Sequence, residues 1–256
     1  MILLTTIRDP GFVTQRKDFW WFKPFLQGTV FLAFVIYSMA MVFFGYDHST
    51  YDKYHYISPF FDPEVHLSWW PSNLSPGLIL IWIPVGFRGT CYYARRVYYR
   101  AWFADPPACA VGELRKVDQK YKGENKWPWI INNLHRYFWY LAFVLMALHW
   151  ISFFHSLYID GKFTMGFGSL IILFDALFLT MYVLSCHACK HLVGGGMDVN
   201  STNSFSFARF RSWKFIKKIN ENHHTWFWLS LVSVLVADIY IRLLSYGTIS
   251  SDWRFF

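Results

Sequence analysis

The stretch Ser185 to His191, SCHACKH, places two cysteines and two histidines within seven residues of a 256-residue chain. Thiolate and imidazole are the donors that iron-sulfur and zinc sites use. On a continuous helix Cys186 and Cys189 stand at i,i+3 and share a face, and His187 and His191 stand at i,i+4 and share a neighbouring one. Cys91 and Cys109 complete the cysteine set. A [2Fe-2S] cluster takes either four cysteines or, in the Rieske manner, two cysteines on one iron and two histidines on the other. A subset of four among Cys91, Cys109, Cys186, Cys189, His187 and His191 supplies either arrangement. The same donors suit zinc, and a buried cysteine at a helix end is commonly a small apolar packer.

The elements that must position these donors are membrane spans. The chain is 55% hydrophobic and 22% aromatic, with mean hydropathy +0.23, above the range of soluble domains. Five stretches reach the roughly 20 apolar residues that a hydrocarbon core demands: about 25–46, 75–94, 135–156, 167–187 and 224–246. They predict an all-α, five-helix transmembrane bundle, one domain over 1–256. The N-terminal segment carries charges and a proline where a signal peptide has its apolar core, so it reads as mature protein. The net charge of +8 is sorted by topology. Of 24 Lys and Arg, eighteen fall in the N-terminal segment to Lys23, in Tyr92 to Leu134 and after His187; Lys53, Lys162 and Arg254 fall on the other side, and Arg88, Arg136 and Arg242 within spans. The positive-inside rule puts the N-terminus in the cytoplasm and the C-terminus outside. The basic surface then implies membrane lipid and a protein partner, with no nucleic acid. All four cysteines gather at the cytoplasmic end, where structural disulfides are uncommon.

A b-type haem is the competing cofactor, since it takes an axial histidine from each of two helices at one depth. His149 and His155 lack a partner in the outer halves of the other spans. At the inner end His135, His187, His191, His223 and His224 leave one haem open, against the plain reading of solvated interfacial histidines. A non-redox transporter would show repeats or paired broken helices, and none is visible.

The runs GTCYYARRVYYRAWFADPPACAV, NLHRYFWYLAF, LSCHACKHLVGGG and INENHHTWFWLSLVSVLVADIY resemble the cytochrome b-type membrane-anchor subunit of succinate dehydrogenase, in its actinobacterial variant. The resemblance implies a five-helix anchor in the bacterial cytoplasmic membrane, with an embedded Rieske-type [2Fe-2S] centre, beneath an iron-sulfur protein and a flavoprotein bearing FAD. Electrons would leave that partner's clusters, pass the Cys/His centre and reduce menaquinone or ubiquinone. A quinone pocket needs apolar walls, donors to two carbonyl oxygens and a proton route. The inner candidates are Arg88, Tyr92, Tyr93, His135 and Arg136, with headgroup snorkelling as the plain reading of the two arginines. In the outer half, His149 and Asp175 form a candidate second quinone site or proton path, while Asp238 and Arg242 read as a helix-internal i,i+4 ion pair.

Overall fold

The computed structural model describes residue 19 and residues 22–63, 68–71, 75–102, 125–127, 129–197 and 203–255. Cys109, the N-terminal segment before Phe19 and most of the basic loop after Trp102 lie outside them. The described chain is mostly helical, with α1 (Phe22–Phe44), α2 (Trp82–Gly89), α3 (Tyr92–Trp102), α4 (His135–His155), α5 (Phe167–Leu184), α6 (His187–Gly194), α7 (Ser204–Asn220) and α8 (His223–Ser245). Two small antiparallel hairpins, β1 (Thr50–Tyr51) with β2 (Tyr56–Ile57) and β3 (Tyr158–Ile159) with β4 (Lys162–Phe163), close the other loops.

Four helical runs among the described residues are long and apolar enough to cross a membrane: Phe22–Phe44, Ile130–His155, Phe167–Leu184 and His223–Ser245. They correspond to the first, third, fourth and fifth expected spans. Their outward faces stay apolar, as Ile36, Val144, Phe174 and Val232 show, the pattern of helices whose surroundings are themselves apolar.

The second expected span, 75–94, is not one helix. It is a 3-10 turn, Pro76–Ile79, then the eight-residue α2, then a break at Thr90 and Cys91 before α3. At about 1.5 Å per residue α2 covers about 12 Å, short of the roughly 30 Å hydrocarbon core. Thr90 Oγ1 bonds back to the Gly86 carbonyl at 2.6 Å, a contact that bends helices, and the Cys91 N–H closes a tighter turn onto Arg88 O. Composition alone does not register such a break.

Pairwise contacts give the directions. Gln27 meets His224, Phe31 meets Phe227, Tyr37 meets Asp238 and Gly45 meets Arg242, so α1 and α8 run parallel. Ser185 meets His223 and Ser233 meets Asp175, so α5 opposes α8; Trp139 meets Val183 and Ser169 meets Ser156, so α4 opposes α5. The bundle thus has a cysteine end, where α1, α4 and α8 begin, and a hairpin end. Between them the segment from Pro76 to Cys91 returns along the bundle: Ile81 clusters with Val42, Arg88 reaches Ser230, and Cys91 reaches His223. Its irregular backbone is tolerated because protein surrounds it; Cys91 and Phe87 are buried.

Candidate functional site

The two cysteines at the break points occupy the same local structure. Thr90 ends α2 and Ser185 ends α5; each hydroxyl bonds back into its own helix, to Gly86 O at 2.6 Å and to Tyr182 O at 3.1 Å. The next residue, Cys91 or Cys186, closes an i to i−3 turn. Its carbonyl then accepts the first bond of the following helix, from Arg95 N–H or Lys190 N–H. Cys91 and Cys186 are therefore N-cap residues of α3 and α6, where unpaired N–H groups face the sulfur.

A histidine faces each sulfur. His135 Nε2 lies 3.2 Å from Cys186 Sγ, and His223 Nε2 lies 3.6 Å from Cys91 Sγ. The other ring nitrogen, Nδ1, is held by the opposite hydroxyl: His135 by Thr90 at 2.9 Å and His223 by Ser185 at 2.6 Å. Since the Thr90 hydrogen goes to Gly86 O, His135 Nδ1–H is the donor and Nε2 presents a bare lone pair. The same assignment at Ser185, with Tyr182 O as its acceptor, leaves His223 Nε2 bare. The arrangement is reciprocal: each Ser/Thr-Cys pair orients the histidine that faces the other pair's sulfur. Phe87 stacks on His135 at 5.2 Å, and Tyr182 stacks on His223 at 5.1 Å. An outer hydrogen bond that fixes the tautomer is the usual accompaniment of a metal-binding histidine. Among the described residues, no three Cys, His, Asp or Glu side chains converge closely enough to hold a single metal ion. The donors stand as two Cys–His contacts, Cys186 with His135 and Cys91 with His223.

Midway along the bundle lies a cavity of about 160 Å³, walled by Phe34, Phe60, Leu145 and Leu179 and reached by Arg88, His149 and Tyr182. Arg88 is buried, donates to Ser230 Oγ at 3.0 Å and lies over the rings of Phe34, Tyr182 and Phe227, 5.1 to 5.9 Å from their centroids. His149 Nδ1 donates to Leu145 O at 2.9 Å and also lies 3.4 Å from Asp62 Oδ2; its Nε2 is 3.9 Å from Asp175 Oδ2. Asp62 accepts from Ser152 and Asp175 from Ser233.

The sequence model described as actinobacterial succinate dehydrogenase subunit SdhC matches residues 22–247. The chain belongs to this SdhC family. A solved structure, the Mycobacterium smegmatis Sdh1 complex in the apo form, contains a similar chain: 33% identical, TM-score 0.80, with 95% of this chain and 94% of that chain covered. Among curated proteins none matches. The chain is thus an SdhC-type membrane subunit of a succinate dehydrogenase.

In this SdhC-type subunit the expected residues divide. Cys91 and Cys186 come together with His135 and His223. Cys189, the third residue of α6, is buried and packs in the same core, and burial pushes its thiol up to about 11. Because Cys186 caps α6 instead of lying within it, Cys186 and Cys189 do not share one continuous helix. His187 and His191 are exposed and bond each other at 2.8 Å. Cys109 lies outside the described residues.

Of the quinone candidates, Arg88 and His149 reach the cavity and Asp175 stands behind His149. His135 faces the sulfur. Tyr93 lies against His223, and Tyr92 and Arg136 are exposed. Arg88 does not snorkel, because its guanidinium is enclosed by rings, whereas exposed Arg136 suits that reading. Asp238 and Arg242 do form the ion pair, at 2.9 Å and buried, joined by Tyr37 at 2.5 Å and Ser58 at 2.5 Å. Sequence reasoning treated His223 only as a haem candidate and did not weigh Thr90 or Ser185. A usable signal was present: two Ser/Thr-Cys dipeptides, each hydroxyl followed 45 or 38 residues later by the histidine that opens a helix.

Proposed function

We propose that this subunit carries electrons from a cytoplasmic iron-sulfur protein and flavoprotein of succinate dehydrogenase to a quinone, through a [2Fe-2S] group held by Cys91, Cys186, His135 and His223. The reciprocal Cys–His arrangement carries this reading. Two cysteines and two histidines with fixed tautomers match the Rieske donor set. When bound, the group supplies a one-electron carrier between the cytoplasmic partner and the membrane interior. Cys91 and Cys186 bring negative charge to helix N-termini, which offset it. Phe87, Tyr182 and Trp139 exclude water from the site.

The quinone, menaquinone or ubiquinone, is placed in the central cavity instead of at the exposed Tyr92 and Arg136. Phe34, Phe60 and Leu179 supply apolar walls. Arg88 offers donors to one carbonyl oxygen, and His149 faces the space from the other side. His149 Nδ1–H is committed to Leu145 O, and Asp175, 3.9 Å from Nε2, completes the buried ionisable pair from which the quinone's protons would be drawn. Asp62 continues this set of ionisable groups toward the hairpin end. The returning segment from Pro76 to Cys91 supports five crossings instead of four: α1 and α4 both begin at the cysteine end, so the chain between them must come back. The distribution of Lys and Arg then places the cysteine end in the cytoplasm and the C-terminus outside.

The test is an iron, acid-labile sulfide and haem assay on the subunit purified with its partners, with EPR of the reduced complex. Iron and sulfide beyond the partners' clusters, with a signal of low average g that disappears in His223→Ala, are the expected result. Haem without extra sulfide overturns it.

A further inference from the structure

Beside the cysteine end, a second cleft of about 360 Å³ opens between α1, α3 and α8, lined by none of the residues of the central cavity. Its lining includes Lys23, Gln27, Tyr93, Arg96, Glu221 and His224. The helices α1, α3 and α8 all present their N-terminal turns here, and none has an acidic residue in its first turn. Their partial positive charges therefore add to those of Lys23 and Arg96.

Among the described residues no carboxylate pairs with Lys23 or Arg96, and exposed Glu221 is the one acidic residue of the lining. The His224 ring in the same lining accepts from Trp228 Nε1–H at 3.1 Å through Nε2, which leaves the hydrogen on Nδ1. Donors and positive charge thus converge on a space where, among the described residues, Glu221 is the one opposing charge. Deeper along the same helices, exposed residues on the cleft side include apolar Val30 on α1 and Val232 on α8.

We infer that this cleft holds the phosphate headgroup of an anionic phospholipid, with its acyl chains descending along the apolar faces of α1 and α8. An amphiphile satisfies both halves of the surface. A neutral quinone head leaves the charge uncompensated, and a protein carboxylate has no use for the apolar face below. Basic clefts between helix ends at headgroup depth are the general setting for such binding. The inference rests on the membrane placement of the helices and not on the cluster.

The complex is reconstituted in vesicles of phosphatidylcholine and phosphatidylglycerol, washed in neutral detergent, and its retained lipids are counted by native mass spectrometry. The double variant Lys23→Gln, Arg96→Gln is expected to lose one phosphatidylglycerol relative to the unaltered complex. Retained phosphatidylcholine and the EPR spectrum stay unchanged, and Lys23→Arg, Arg96→Lys keeps the lipid. Equal retention in the Gln variant overturns the inference. Release by millimolar inorganic phosphate shows a small-anion site and also overturns it, as does photo-crosslinking from Gln27 to the iron-sulfur protein, which would mean that a protein covers the cleft.

Discussion

Thr90 and Ser185 do more than end helices. Each hydroxyl accepts from a histidine Nδ1 and thereby aims the opposite Nε2 lone pair at a sulfur. Thr90→Val removes that acceptor while keeping the shape. Loss of such outer partners commonly weakens metal binding by about 10- to 100-fold, so the purified Thr90→Val complex should contain less extra iron and sulfide and give shifted EPR g values. His187→Ala should leave both unchanged, because His187 is exposed and bonded to His191. On the quinone side, Asp175→Asn should slow quinone reduction by roughly 10²- to 10⁴-fold, the range of a lost acid-base group, while succinate oxidation by a soluble dye continues. These roles were partly legible beforehand. Cys91, Cys186, Arg88, His149 and Asp175 are chemically conspicuous inside apolar stretches. Thr90 and Ser185 are ordinary residues until a distant imidazole is seen beside them.

The elements carry the site through breaks and close approaches. Gly86 is where α2 meets α4: a methyl group there would collide with the Phe138 ring. Gly86→Ala should therefore displace Phe138 and loosen the Phe87–His135 stack, at a cost of about 1–3 kcal/mol typical of overpacking, read as a lower midpoint of thermal unfolding of the complex. Helix periodicity located the four long helices because their apolar runs are continuous. It carried the stretch 75–94 across the break at Thr90 and Cys91 and set Cys186 and Cys189 on one helix, since a helix and a capped break at a cysteine have the same composition. The break depends on a hydroxyl back-bond and a tightened turn, which are local geometries without a hydropathy signature.

Across the whole molecule, buried charge locks the hairpin end. Arg242 spans from Asp238 to the Gly45 carbonyl, and Tyr37 and Ser58 close on the same carboxylate. Asp238→Ala strands the guanidinium in the interior, and breaking a buried pair this way costs about 3–5 kcal/mol; the variant should yield less assembled complex in detergent. Orientation is checked by labelling. A cysteine at Lys162 should react with an impermeant maleimide added outside intact cells, and one at Lys217 only after the membrane is opened. The reverse pattern would invert the topology.

Amino-acid composition and charge order alone determined that this chain is a multi-pass helical membrane protein, because water-to-lipid transfer acts on each residue according to its type and is summed along contiguous segments. The family likewise was legible in the cysteine-containing runs. Which histidines meet which sulfurs was decided only by tertiary packing. His135 and His223 are brought to Cys186 and Cys91 by the antiparallel placement of α4 and α8 against α5 and the returning α2. Neighbours in sequence, His187 and His191, are turned outward by the cap that Cys186 places at the start of α6. A ligand set is a set of distances between elements, and those distances follow from how helices pack rather than from the order of residues within any one of them.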